Sequence, residues 1–416
     1  MREQGCESKG WKLARWVRRR AVSKRGARVV GGGLAALLTT AVLASPPVWI
    51  GEGRRPAVAA VPGSDSVVVW QKDDGSAEGI YGRRFSAFAM PVGAEFQVNV
   101  RTSGAQEAAD VSALETGGFV VVWQGELTNR TKVFGRRLDS FAMPVGAEFQ
   151  VNTAFTALEP AVGSDSQGNF YVTWVQTHAA NPALGSPVKF HHYLRVFDAS
   201  GSALGPEEQF GEKSGPTPPA IAVLPSGDSL VVWEGKHEDL RGQLFDRFAM
   251  PVGAEFQVNL SNIMSPGSPA VTTDGTEDFV VAWESDLGGG DRGVLGRKID
   301  TSFAMPVGAE FQVSVTPFQG QADPAAAVDA SGRLVVTWQC ILTDGLPHGE
   351  VIARRVNPFA MPVGAEFVVN AQASTTQQRS DVASDTDGGF VVVWEADDTN
   401  GFQIFGDAID VNTFNP

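Results

Sequence analysis

Residues 117–152 read GGFVVVWQGELTNRTKVFGRRLDSFAMPVGAEFQVN. Phe119–Trp123 is an unbroken β-branched and aromatic run, which suits a strand covered on both faces. A polar stretch follows and reads as a loop. Val133–Leu138 predicts a second strand and Glu148–Asn152 a third, with a turn through Phe141-Ala142-Met143-Pro144 between them.

The unit recurs. Trp70, Trp123, Trp174, Trp233, Trp283, Trp338 and Trp394 each close a similar run, at spacings of 50 to 59 residues. Before each run lies a segment of small apolar residues, as in Pro56-Ala57-Val58-Ala59 and Pro160-Ala161-Val162. Each unit therefore carries four strands, a to d, with the tryptophan run as strand b. Small side chains fit strand a to the crowded position around an axis. Four short strands, seven times over, predict an all-β fold: a seven-bladed β-propeller of four-stranded antiparallel blades. The seventh unit stops at Asp407–Asp410 with no EFQVN strand after it, while Val48–Ile50 is an orphan β-like segment before the first unit. Val48–Ile50 is expected to complete the last blade and remove two open edges. The organisation read from the chain is a signal peptide at 1–44, a closing strand and linker at 45–55, and the propeller at 56–416.

The pattern GGFVVVW…GRRLDS…GAEFQVN resembles the tandem repeats of exported bacterial proteins of unknown function, whose units read FVVVW…GRRFD…GEFQVN. The resemblance covers residues 56–416 and implies a propeller-like repeat fold without implying an activity. One departure stands out. Where such repeats turn through a sequence like Asp198-Ala199-Ser200-Gly201, five units here read Phe-Ala-Met-Pro-Val-Gly.

Eight Lys and Arg between residues 12 and 28 precede the apolar run Val29–Ala44. Val42 and Ala44 satisfy the small-residue preference of a signal-peptidase site. The run of 16 residues is short for a spanning helix. A cleaved export signal is the first reading and an uncleaved anchor the second. The expected address is secreted, periplasmic or cell-surface. After residue 44 the chain holds 23 basic and 45 acidic residues, a net of −22. Such a surface repels phosphate backbones, so nucleic acid is excluded as a partner. The two cysteines, Cys6 and Cys340, give no disulfide once the N-terminus is removed.

Antiparallel order puts the b–c and d–a loops on one face. Acidic residues collect in the b–c loops at Asp73, Asp74, Glu238, Asp239, Asp286, Asp291, Asp344, Asp397 and Asp398. Asp beside Gly suits calcium, a hard cation seeking several oxygens, and equally suits an ordinary solvated turn. His178, His191, His192, His237 and His348 all fall in the same loops. Projected from one face, they are candidate ligands for a transition metal. No resident cofactor is expected beyond these two possibilities.

On the opposite face, Phe88, Phe141, Phe248, Phe303 and Phe359 recur with a Met two positions on. They are expected to fold back onto the blade edges; the alternative is an exposed partner surface. The strand-c pairs Arg83-Arg84 and Arg354-Arg355 are expected to pair with the Glu that opens strand d, such as Glu95.

No nucleophile elbow, zinc-protease motif or phosphate loop occurs. The function expected is a non-catalytic scaffold that recognises a glycan, a protein or a surface ligand through its b–c loops. The alternatives are a glycosidase or lyase on the same frame, and an adhesin or structural module.

Overall fold

The computed structural model describes residues 47–410, apart from 62–64, 87–89, 179–187, 214, 238, 261–264, 316–319, 330, 343–347, 358, 371–375, 385–388 and 399–400. The signal-peptide reading of 1–44 lies outside the described residues, as do Phe88, Glu238 and Asp344.

The described residues form seven four-stranded antiparallel sheets in a ring, a seven-bladed β-propeller. Blade 1 runs outward from β2 (Arg54–Ala60) through β3 (Ser66–Asp73) and β4 (Glu78–Phe85) to β5 (Pro91–Gln97). Blades 2 to 6 repeat that order, from β6 (Gln106–Ala113) to β25 (Pro362–Val368). Blade 7 combines β26 (Thr376–Ser384), β27 (Gly389–Asp398) and β28 (Gly401–Asp410) with the distant β1 (Val48–Glu52). There Val48 lies opposite Gly406 and Glu52 opposite Gln403. Each inner strand abuts the inner strands of both neighbouring blades, and β26 abuts β2 to close the circle.

Burial follows the sequence pattern. All seven strand-b tryptophans are at most 1 % exposed, and the valines before them are sealed on both faces. Each such side chain contributes about 1.5–3 kcal/mol, so stacking of the blades dominates stability. No blade buries both faces alone.

The EFQVN strand is a set of joints. Its Phe and Val enter the core, as with Phe367 and Val369. Its Asn accepts the N–H of strand c, from Ile80 to Asn99 at 2.8 Å and from Val133 to Asn152 at 2.9 Å. Its Glu reaches the preceding blade. Glu148 accepts Val100 N–H at 2.9 Å, and Glu310 and Glu366 accept Leu260 and Val315 N–H in the same way. The Arg pair departs from expectation. Its first Arg grips main-chain carbonyls: Arg354 donates to Gly364 at 3.1 Å and, across the seam, to Val313 at 2.7 Å. Arg83 does the same with Gly93 and with Ile50 of β1. Glu95 is held instead by Lys72 at 2.8 Å. The carbonyl at the end of the neighbouring outer strand is in reach and needs a donor, so it wins over the solvated carboxylate.

Candidate functional site

Strand a does not run straight. In six blades a bulge interrupts its pairing with strand b, centred on Arg55, Ala108, Glu159, Ser268, Asp323 and Arg379. All six adopt left-handed φ of 46° to 50°. Each costs about 1–2 kcal/mol for a residue with a Cβ, so something must hold it. The holder is the residue after the preceding blade's tryptophan. Glu395, Gln71, Gln124, Glu234, Glu284 and Gln339 accept the six bulge N–H groups in turn, at 2.7 to 3.4 Å. The bulges lie at the b–c end of the innermost strands, so their side chains gather at the axial mouth.

Charges of both signs meet there. Arg55 of blade 1 pairs with Glu159 of blade 3 at 3.7 Å, passing over blade 2. Burial pushes the Glu159 carboxyl up, Arg55 pulls it back, Glu107 raises it again and Arg379 of blade 7 lowers it. Three other blades thus act on one carboxyl. Arg379 also lies 3.3 Å from the fully buried Glu395. On the far side, burial raises Glu284, while Arg292 at 2.7 Å opposes the shift.

Deeper in the lumen stand two more carboxyls. Five blades place Ala57, Ala161, Ala220, Ala270 and Ala325 at one register; blades 2 and 7 place Asp110 and Asp381 there. Asp110 accepts Val111 N–H and, from the next blade, Val162 N–H at 2.7 Å. Asp381 spans blades 7 and 1 by accepting Val58 N–H at 2.8 Å. Enclosure by the ring pushes Asp110 up to about 7 and Asp381 to about 6. The two bonds on Asp110 work against the shift, and the charge of Asp381 adds to it.

The b–c loop residues are mostly occupied in their own turns. Asp73 accepts Gly75 N–H, and Asp286 accepts Gly288 N–H at 2.7 Å. Desolvation is the largest single influence on Asp74 and raises its carboxyl, but the bonds it accepts from Ser76, Ala77 and Gln97 together outweigh it and lower the carboxyl. Asp239 is buried with Arg241 at 2.7 Å. Asp291 opens β20 (Asp291–Asp300), Asp397 is exposed on β27, and Asp398 ends that strand.

Two of the five histidines meet. The His178 and His191 rings are 5.0 Å apart, with His178 Nε2 3.1 Å from the Tyr193 hydroxyl. His192, next along the strand, points to the opposite face and packs 5.5 Å from Trp233. His237 is exposed in the turn after blade 4's strand b, and His348 opens β24 (His348–Val356). Among the described residues no three His, Cys, Asp or Glu side chains are grouped to hold a metal ion. Cys340 is a core residue whose thiol burial pushes up to about 12.

No family model matches the chain, and no curated protein does. A protein of unknown function from Dyadobacter fermentans DSM 18053 superposes with a TM-score of 0.54 at 11% identity, over 88% of this chain and 98% of that one. The NanB sialidase of Streptococcus pneumoniae gives 0.48 at 9% identity, over 90% and 72%. An α-L-arabinanase of Penicillium chrysogenum gives 0.47 at 13% identity, over 76% and 99%. The first likeness is one of fold, and the other two carry no argument about function.

Proposed function

We propose that this chain is an exported binding module, a stiff propeller that recognises a polar ligand, a glycan foremost, at its axial mouth and the surrounding b–c loops. The observation that carries the reading is the pairing of Arg55 of blade 1 with Glu159 of blade 3 at 3.7 Å across blade 2, with Glu107 of blade 2 and Arg379 of blade 7 near enough to act on the same carboxyl. Guanidinium and carboxylate groups together can bind hydroxyl-rich ligands from several directions, and the ring fixes them without induced fit. Most of the repeat's polar motifs are engaged in joints between adjacent blades, whereas the Arg55–Glu159 pair links blades that are not neighbours. The test is a glycan array probed with the full chain and with Arg55→Ala/Arg379→Ala. Capture of a glycan class that drops at least tenfold in the variant supports it. Equal capture by both proteins, or none by either, overturns it.

A hydrolase is the second reading, favoured by Asp110 and Asp381, whose raised carboxyls sit within one lumen. A panel of chromogenic glycosides separates the two. Turnover abolished by Asp110→Ala replaces the binding module with an enzyme.

A further inference from the structure

The opposite face carries chemistry that folding does not need. Blade 2 turns from strand c to strand d through Asp139-Ser140-Phe141-Ala142-Met143, and blade 3 through Asp198-Ala199-Ser200-Gly201-Ser202. The two turns are built alike. Asp139 Oδ1 accepts Phe141 and Met143 N–H, as Asp198 Oδ1 accepts Ser200 and Ser202 N–H. Ala142 and Gly201 both have positive φ, 60° and 88°. Gly suits that conformation and Ala does not. The Ser-Gly-Ser version closes the turn with less strain, so Phe-Ala-Met is not there for the turn's sake.

Nor are these side chains buried. Because the side-chain oxygen of Asp139, Asp246 or Asn357 pins the turn, Ala142, Ala249 and Ala360 face the blade while the neighbours point away. Phe141, Phe248, Phe303 and Phe359 are 63–80 % exposed, and the five Met 52–59 %. This corrects the expectation that they fold back onto the blade edges. At roughly 100 Å² each, the nine side chains expose on the order of 900 Å² of apolar surface, divided among separate tips and not gathered in one patch.

We infer that this face docks on a zwitterionic lipid bilayer, with each Phe-Met tip seated at the boundary between headgroups and acyl chains. The tips are separate, one to a blade. A fluid bilayer accepts separate wedges, whereas a protein partner needs a continuous matching surface. Charge points the same way. Inside the ring of tips the a–b turns on this face expose Glu115, Asp228 and Glu277. Asp278 of such a turn accepts Thr301 N–H from the adjoining c–d turn, so acid and apolar tip lie side by side. Cations stand beside the tips as well: Arg247 lies over the Phe248 ring at 4.9 Å, Arg84 over the Phe141 ring at 5.5 Å, and Lys298 pairs with Asp278 at 3.1 Å. A phosphatidylcholine headgroup offers a partner to each sign, its ammonium to the exposed acids and its phosphate to the arginines beside the tips.

The test is co-sedimentation of the full chain with phosphatidylcholine vesicles, beside a variant given the blade 3 turn at three tips. That variant is Phe141→Ser, Ala142→Gly, Met143→Ser, with the same three changes at 248–250 and 359–361. Since both proteins keep the N-terminal apolar run, only the tips differ. The expected result is a partition coefficient at least tenfold lower for the variant, with a melting temperature equal or higher. Equal partitioning overturns the inference. So does a wild-type dimer in lipid-free ultracentrifugation that the variant makes monomeric, since that outcome assigns the tips to a protein contact.

Discussion

The seam between blades 3 and 4 is made differently from the other six. Elsewhere the residue after a tryptophan accepts the N–H of the next blade's bulge. At the odd seam Val175 follows Trp174, and Pro218 stands where the bulge would be. Acceptor and donor are both missing. β14 (Ala220–Val223) is correspondingly the shortest inner strand, four residues long. Aromatic packing fills the space: Phe210 lies 5.1 Å from Trp233 and 4.9 Å from Phe245, and His192 packs on both Phe210 at 5.8 Å and Trp233 at 5.5 Å. Removing one partner of a buried hydrogen bond costs about 1–3 kcal/mol, while removing both can be nearly neutral. The seam shows the second case. The polar link is dispensable as a pair and indispensable by halves.

The seam between blades 7 and 1 is the most breakable, because it alone is closed by strand β1. Ile50 is buried there, its carbonyl takes the Arg83 guanidinium, and a Cβ on Gly51 would meet the Trp70 ring at 2.8 Å. Deleting residues 47–52 bares that core and leaves β28 as an open edge. The expected loss is about 4 kcal/mol, roughly 5 °C in melting temperature. A shift below about 2 °C by calorimetry would show that blade 7 holds with three strands. At the same seam Glu395 accepts Arg55 N–H at 2.7 Å and Gln378 at 2.6 Å while meeting Arg379. Glu395→Ala strands all three and should cost about 3 kcal/mol; Glu395→Gln, which keeps an acceptor, about 1. Equal losses in urea titration would mean that the charge, not the acceptor, holds the joint.

Asp110 tests the lumen on the same logic of repeated positions. Its carboxyl titrates near 7 in the fold against about 4 in the unfolded chain. The unfolded state releases this proton first. Stability from it is therefore complete below about pH 4 and is lost as pH rises toward 7. Asp110→Ala installs the residue that five blades already carry, leaving Val111 and Val162 N–H to lumen water. It should flatten the pH dependence of stability between pH 4 and 7 and gain about 1–2 kcal/mol at pH 8, after allowance for screening in the lumen. A variant less stable at pH 8 would show that the two N–H bonds outweigh the cost of enclosure.

The blade count was legible because seven buried tryptophans repeat at one spacing, and burial on both faces writes an unbroken apolar run. The joints were partly legible. Six of seven tryptophans are followed by Gln or Glu, a regularity that surface residues would not keep. The mouth was not. A residue before proline is pushed toward extended conformations, so Arg55-Pro56 and Glu159-Pro160 read as plain strand and not as left-handed bulges. The acidic residues that stand out along the chain lie in the b–c loops, where Asp73 and Asp286 are occupied in their own turns. One signal was available for the lumen: Asp110 and Asp381 interrupt a column otherwise filled by Ala. Finding it needs strand a aligned in register across the bulges, and sequence alone hides where a bulge falls.

The smallest effect returns to the odd seam and asks whether the link can be installed. Val175→Gln alone buries an amide without its donor and should cost about 1–3 kcal/mol. Pro218→Ala alone frees the unfolded backbone and offers an N–H with nothing to receive it, for about 0.5–1 kcal/mol. Together the two recreate the pair that Gln124 and Glu159 form at 2.9 Å one seam earlier. A double-mutant cycle should then return a favourable coupling of about 1 kcal/mol. Gln124 and Val175 sit at the same register of strand b, but Gln124 faces Val133 on strand c while Val175 faces His192, so the new amide has to share its space with the aromatic cluster. Losses that add within about 0.3 kcal/mol would mean that the short β14 cannot bend into a bulge. The link would then belong to the strand's shape, with the side chains following it.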